Sequence, residues 1–180
     1  MKHKILAISG SLREGSSNNI IIELISGMIP EQIEYHIYKE LASIPAFDDS
    51  DNEVVNRFRQ QVREADAVLI CTPEYAFGVP GALKNALDWT VSTGDFDQKP
   101  VALITASSVG DKGHASLINT LTALGTNRVE GASLLISFIR AKLNNGQFTD
   151  KPTEEAVRNV VNVLIEHIQK GDSLIEEGKK

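Results

Sequence analysis

In Ile8-Ser9-Gly10-Ser11-Leu12-Arg13-Glu14-Gly15-Ser16-Ser17-Asn18 an apolar, strand-like run stops and an amphipathic helix pattern begins. Gly10 and Gly15 permit tight backbone turns, Ser11, Ser16, Ser17 and Asn18 offer short donors, and a helix starting near Asn18 presents unpaired N–H groups and the positive end of its dipole to an anion. Arg13 adds a fixed positive charge. The stretch therefore reads as a phosphate cradle, and what it lacks narrows the phosphate. Ser16-Ser17 stand where a P-loop needs Lys followed by Ser or Thr, and Leu12 stands where a dinucleotide fingerprint needs its second glycine. A single terminal phosphate held without metal fits best. The alternative is an ordinary polar strand-to-helix loop capped by Ser16 or Ser17, and the loop alone does not separate the two.

The 180 residues suit one domain, expected here over 1–180, and a hydrophobic content of 42% with 23% charged residues is ordinary for a globular chain. A net charge of −6, with 18 Lys and Arg scattered along the chain, argues against nucleic acid or an anionic membrane as partner and for a small molecule. Cys71 is the only cysteine, so no internal disulfide or cysteine-based metal centre is available. The apolar run after Met1-Lys2-His3-Lys4 is too short for a signal peptide or a membrane span. These features lead to the expectation of a soluble, cytoplasmic protein.

Outward from the first loop, residues 5–9 form a continuous apolar run, as in a strand buried on both faces. Ile21, Leu24, Ile25 and Met28 give helix one an apolar face, with Pro30 just past its end. Ile33 to Tyr38 alternates and reads as an edge strand. Asp48, Asp49 and Asp51 lie in a loop without the glycine hinge or distal glutamate of a calcium site, so Asp51 or Asn52 is assigned as N-cap of a helix running to about Ala65. Ala67 to Thr72 is a third, fully apolar strand in which Cys71 is expected to be a buried hydrophobe. Pro80 suits the first turn of a helix whose Leu83, Ala86, Leu87 and Thr90 share a face, leaving Trp89 aimed at a ligand mouth or subunit partner, or packed in the chain's own core. Pro100 to Ala106 is the fourth strand, 114–124 a helix stopped by Gly125, 132–139 the fifth strand, Asn144-Asn145-Gly146 a turn, and 153 to about 170 the last helix, with a fraying tail after Gly171.

Five strands alternating with five helices predict a three-layer α/β fold with a parallel sheet and right-handed crossovers. In the flavodoxin-like order 2-1-3-4-5 the carboxyl ends of strands one and three bound the binding crevice. That order places residues 10–18 and 73–79 on either side of one cleft, with 107–113 beside the second.

Two of these stretches also carry a family resemblance: Gly10-Ser11-Leu12-Arg13 with Ser16-Ser17-Asn18, and Pro73-Glu74-Tyr75 with Pro80-Gly81 and Leu83-Lys84-Asn85-Ala86-Leu87-Asp88-Trp89. The chain resembles the NAD(P)H-dependent FMN reductases, a family with quinone, azo-dye and chromate reductases among its members. The resemblance implies a flavodoxin-like fold, FMN as cofactor and NAD(P)H as co-substrate. It implies that Ser11, Arg13, Ser16, Ser17 and Asn18 hold the FMN phosphate, that Pro73, Glu74, Tyr75 and Ala76 lie along the isoalloxazine and ribityl, and that Ser107, Ser108 and Gly110 form the far edge. Many members carry Asn where this chain has Ala76, which removes a side-chain hydrogen bond to the flavin. Tyr75 and Phe77 are candidates for walls of the nicotinamide and acceptor pocket, Phe77 alternatively for a subunit contact. Glu74 is expected to orient its loop or sit near the opening, not to shuttle protons, and His114 to face solvent or donate to an acceptor. The resemblance further implies a homodimer or homotetramer acting on a small-molecule electron acceptor, with no metal. The rival expectations are a flavodoxin-type electron carrier and a flavin-free protein on the same fold.

Overall fold

The computed structural model describes residues 2–177, with side chains through residue 170. Its frame is a five-stranded sheet in the order β2-β1-β3-β4-β5, every pair parallel. The strands are β1 His3–Ser9, β2 Ile33–Tyr38, β3 Ala67–Thr72, β4 Pro100–Ala106 and β5 Asn127–Ile136. They alternate with α1 Ser17–Ser26, α2 Glu53–Glu64, α3 Gly81–Asp88, α4 Asp111–Ala123 and α5 Lys151–Glu177.

Strand geometry sends successive side chains to opposite faces, and the central strands are apolar on both. Ile5, Ala7, Leu69, Cys71 and Ile104 point to the face covered by α1 and α5, where they meet Ile21, Ile25, Val157, Val161 and Leu164. Leu6, Ile8, Val68, Ile70 and Leu103 point to the other, against Phe58 and Val62 of α2, Leu83 and Leu87 of α3, and Leu117 and Leu121 of α4. Trp89 belongs to this second core: it is fully buried, its ring meets Phe47 edge-on with centroids 5.1 Å apart, and its indole N–H donates to Pro45 O at 2.9 Å. That decides for the chain's own core over a ligand mouth or partner. Asn52, not Asp51, caps α2, its side chain accepting from the N–H groups of Val54 and Val55.

The boundaries of α4, β5 and α5 differ most from expectation. Helix α4 begins at Asp111 and not at 114, because Gly110, at φ 97, makes the turn itself and places Asp111 in the first helical turn. β5 begins at Asn127 and ends at Ile136, not 132–139. Its first residues are half exposed at the sheet edge and carry no apolar run, a register shift opposite Val101 and Leu103 accommodates them, and Gly131 lies at φ 81. The chain then leaves the sheet at Phe138, φ 55, into a short 3-10 turn, Ile139–Ala141. Helix α5 passes Gly171 without stopping and runs to Glu177, since one helical glycine costs only about 1 kcal/mol. Residues 178–180 of the expected fraying tail lie outside the described residues.

Asn145 and Gly146, at φ 48 and 74, turn a two-residue ribbon of β6 Leu143–Asn144 and β7 Gln147–Phe148.

Candidate active site

The carboxyl ends of β1, β3, β4 and β5 surround one cavity of about 430 Å³. Its lining includes Arg13, Gly15, Ser16, Ser17 and Asn18 after β1, Pro73, Glu74 and Tyr75 after β3, Ser107 and Ser108 after β4, and 138–141 after β5.

The first loop is drawn tight against its neighbours. Gly10 N–H donates to Cys71 O at 2.9 Å, and a Cβ on Gly10 would collide with the side chain of Thr72, so only glycine lets β1 end this close to β3. Ser16 is the N-cap of α1, its hydroxyl accepting from Asn18 N–H at 3.2 Å. Asn18 is buried and its side chain is spent on the scaffold: Nδ2 donates to Ala106 O at 3.2 Å, and Oδ1 accepts from Cys71 Sγ at 3.3 Å. Burial pushes the Cys71 thiol well above its ordinary range, which keeps it a neutral packing group. Ser11, expected to hold the phosphate, is buried and does not line the cavity, its hydroxyl accepting from Arg13 N–H at 3.3 Å and lying 3.4 Å from Tyr75 Oη. The Arg13 guanidinium and the Ser17 hydroxyl have no partner among the described residues.

On the opposite wall, Tyr75 and Gly78 exchange two backbone hydrogen bonds of 3.0 and 2.9 Å around a two-residue turn. Its corner residues, Ala76 and Phe77, sit at φ 48 and 60, and neither reaches the cavity. Phe77 is 71% exposed with Lys112 Nζ 4.5 Å from its ring centre. Glu74 orients its loop as expected: Oε2 accepts from Gly113 N–H at 2.6 Å, and its backbone N–H donates to Ser107 Oγ at 3.3 Å. The carboxylate thus sits at the N-terminal turn of α4, where the helix dipole favours it. Gly110 shapes the start of α4 without lining the cavity.

His114 is half-buried and does not reach the cavity. Nδ1 lies 2.8 Å from Thr105 Oγ1 and Nε2 3.2 Å from Ser133 Oγ, tying α4 to the last two strands, and partial burial lowers its pKa from 6.5. Among the described residues no cluster of three or more His, Cys, Asp or Glu is placed to hold a metal ion, and no helix is long and apolar enough to cross a membrane.

The wall from 138–141 was not foreseen, because the apolar run ending at Ile139 reads as strand. The available signal was topological: every carboxyl-terminal strand end in such a sheet faces the crevice, so the connection after β5 belongs with the other three.

The cavity thus offers a cationic, hydroxyl-rich floor at the start of α1, walled by the connections after β3, β4 and β5. Residues 3–141 match the family model described as NADPH-dependent FMN reductase. An NAD(P)H-dependent FMN reductase of Pseudomonas aeruginosa is 32% identical over 173 residues, 89% of this chain and 92% of that protein. A quinone reductase of Escherichia coli is 38% identical over 122 residues, 63% of this chain and 64% of its own length. Among solved structures, the flavoenzyme NAD(P)H:(acceptor) oxidoreductase FerB of Paracoccus denitrificans superposes with a TM-score of 0.77 at 26% identity, covering 93% of this chain and 98% of that one. Sheet order, cavity position and the match across most of the chain agree, and this protein belongs to the NADPH-dependent FMN reductase family.

Proposed function

We propose that the cavity at the carboxyl edge of the sheet is the FMN site, and that the 180 residues form one flavin-binding domain reducing a small acceptor such as a quinone, azo compound, free flavin or metal oxyanion. Family membership makes FMN the cofactor and NAD(P)H the reductant. The observation that carries the site assignment is the donor set: an unpaired guanidinium, an unpaired serine hydroxyl and the start of α1 meet at one end of a cavity large enough for a flavin. Such a set fits a phosphate and needs no metal.

Bound FMN supplies the redox chemistry, taking hydride from NAD(P)H and passing two electrons to the acceptor. The protein's part is to bind and orient. Arg13 and Ser17 hold the phosphate, Ser16 and Asn18 keep the first turn of α1 in place, and Tyr75 with Ser107 and Ser108 flanks the ring system. Glu74, engaged by Gly113 N–H, braces the wall and is not a proton donor. An open mouth lets nicotinamide and acceptor use the same face in turn. Leu12, Phe77, Val109 and Phe138, each more than half exposed, lie in the connections after β1, β3, β4 and β5, which supports a homodimer or homotetramer with the partner covering part of that edge of the sheet. The single cysteine and the acidic balance support a cytoplasmic location.

Flavin fluorescence titration tests the site. Arg13→Ala removes a charge-assisted contact and should raise the FMN dissociation constant by about tenfold or more; an unchanged constant would contradict the assignment of the first loop.

A further inference from the structure

We propose that Arg140 is a second cation of the phosphate end of the cavity, holding the FMN phosphate from the side opposite Arg13. The inference rests on the FMN reading of the cavity.

Arg140 sits on a fixed support. Beyond β5, Phe138 N–H donates to Ser108 O at 3.0 Å and Ile139 N–H to Ser107 O at 3.2 Å, while the Ile139 side chain is buried in the core beneath α1 and α5. Ala141 N–H closes the turn on Phe138 O at 3.0 Å. The side chain between these anchors has no ion pair or hydrogen bond to any described residue, although the chain carries 24 carboxylates against 18 Lys and Arg. Neighbouring Lys142, by contrast, interacts electrostatically with Asp150.

Arg13 is in the same condition, and both line the same cavity. The only carboxylate in that lining is Glu74, already held by Gly113 N–H. Two unpaired guanidiniums on one cavity repel each other until an anion lies between them.

Topology says which end of the flavin meets Arg140. β5 leads to α5, packed on the α1 face of the sheet, so its connection turns toward the start of α1; the connection after β3 leads to α3 on the other face. Asn18 bonds Ala106 O, and Ala106 pairs with Ile136, so the first turn of α1 and the end of β5 are separated by β4 alone, about 5 Å per strand spacing. A phosphate at the start of α1 is within the reach of an arginine side chain from there. As a group of charge about −2 near neutral pH, it satisfies both guanidiniums.

The test measures dissociation constants for FMN and for riboflavin, which lacks the phosphate, with wild type, Arg13→Ala, Arg140→Ala and Arg140→Lys at low and moderate salt. Arg140→Ala should weaken FMN about tenfold, leave riboflavin unchanged and flatten the salt dependence, and Arg140→Lys should restore part of the loss. Unchanged FMN binding by Arg140→Ala, or equal weakening of FMN and riboflavin, would overturn the role. If Arg13→Ala loses the preference for FMN while Arg140→Ala keeps it, the FMN site stands and Arg140 falls. A wild-type protein that binds neither flavin would overturn the cavity reading itself.

Discussion

Ala76 shows what a single residue contributes and conceals. As a departure from a family pattern it suggested a lost side-chain contact to the flavin, but at φ 48 it occupies the corner of a turn and leaves the cavity to Tyr75. What the position demands is a left-handed backbone, which an L-residue with Cβ adopts at a cost of about 1–2 kcal/mol and which Asn tolerates better. Ala76→Gly removes that cost but adds about 0.5–1 kcal/mol of unfolded-state entropy. We therefore expect a net stabilisation of about 0.5 kcal/mol, measured as a higher urea midpoint with unchanged slope. Asn18 is a second case. The residue type was legible as a polar group at the helix start; that its amide would be spent on Ala106 and Cys71 was not, because both partners lie on strands distant in sequence.

At the scale of the element, α4 is the brace of the site. Its first turn touches the β3 connection so closely that a Cβ on Gly113 would lie 2.9 Å from both Cβ and Cγ of Glu74. Alanine normally gains about 1 kcal/mol over glycine within a helix, whereas overpacking costs about 1–3 kcal/mol. Those atoms lie near the backbone and yield little, so the clash wins. Gly113→Ala should lower the thermal midpoint and weaken FMN binding by displacing residues 74–78; a stabilised variant with unaltered binding would count against the bracing role. The far side of the same helix is pinned through His114. Folding holds its pKa below 6.5, so the unfolded chain protonates first as pH falls. Its contribution is complete above pH 6.5 and is lost as pH drops toward the folded-state value. Chemical denaturation at pH 7.5 and 5.5 should show wild type losing more stability than His114→Asn over that interval. The start of α4 was hard to read because Ser107, Ser108, Gly110 and Gly113 resemble loop, and what fixes that start is a set of contacts with Glu74 that no local pattern reports.

For the molecule as a whole, hydrophobic periodicity carried the topology. Strands β1 to β4 and the spacing of α1 to α3 follow from runs such as 5–8 and 67–71, whose burial on both faces leaves no choice but a sandwiched parallel sheet. Given that sheet, the convergence of three connections on one crevice was legible before any coordinates. The fourth wall was not, because β5 lies at an edge, begins in a polar stretch across a register shift, and ends in a turn at Phe138 that an apolar sequence disguises. Arg140 was missed with it.

The most direct measurement is an anaerobic titration of the FMN-reconstituted protein with NADPH and then NADH, followed through the flavin's visible absorption. The expected result is rapid loss of flavin colour by two-electron reduction, with colour restored on adding a quinone. Bound flavin that neither nicotinamide bleaches would contradict the reductase account.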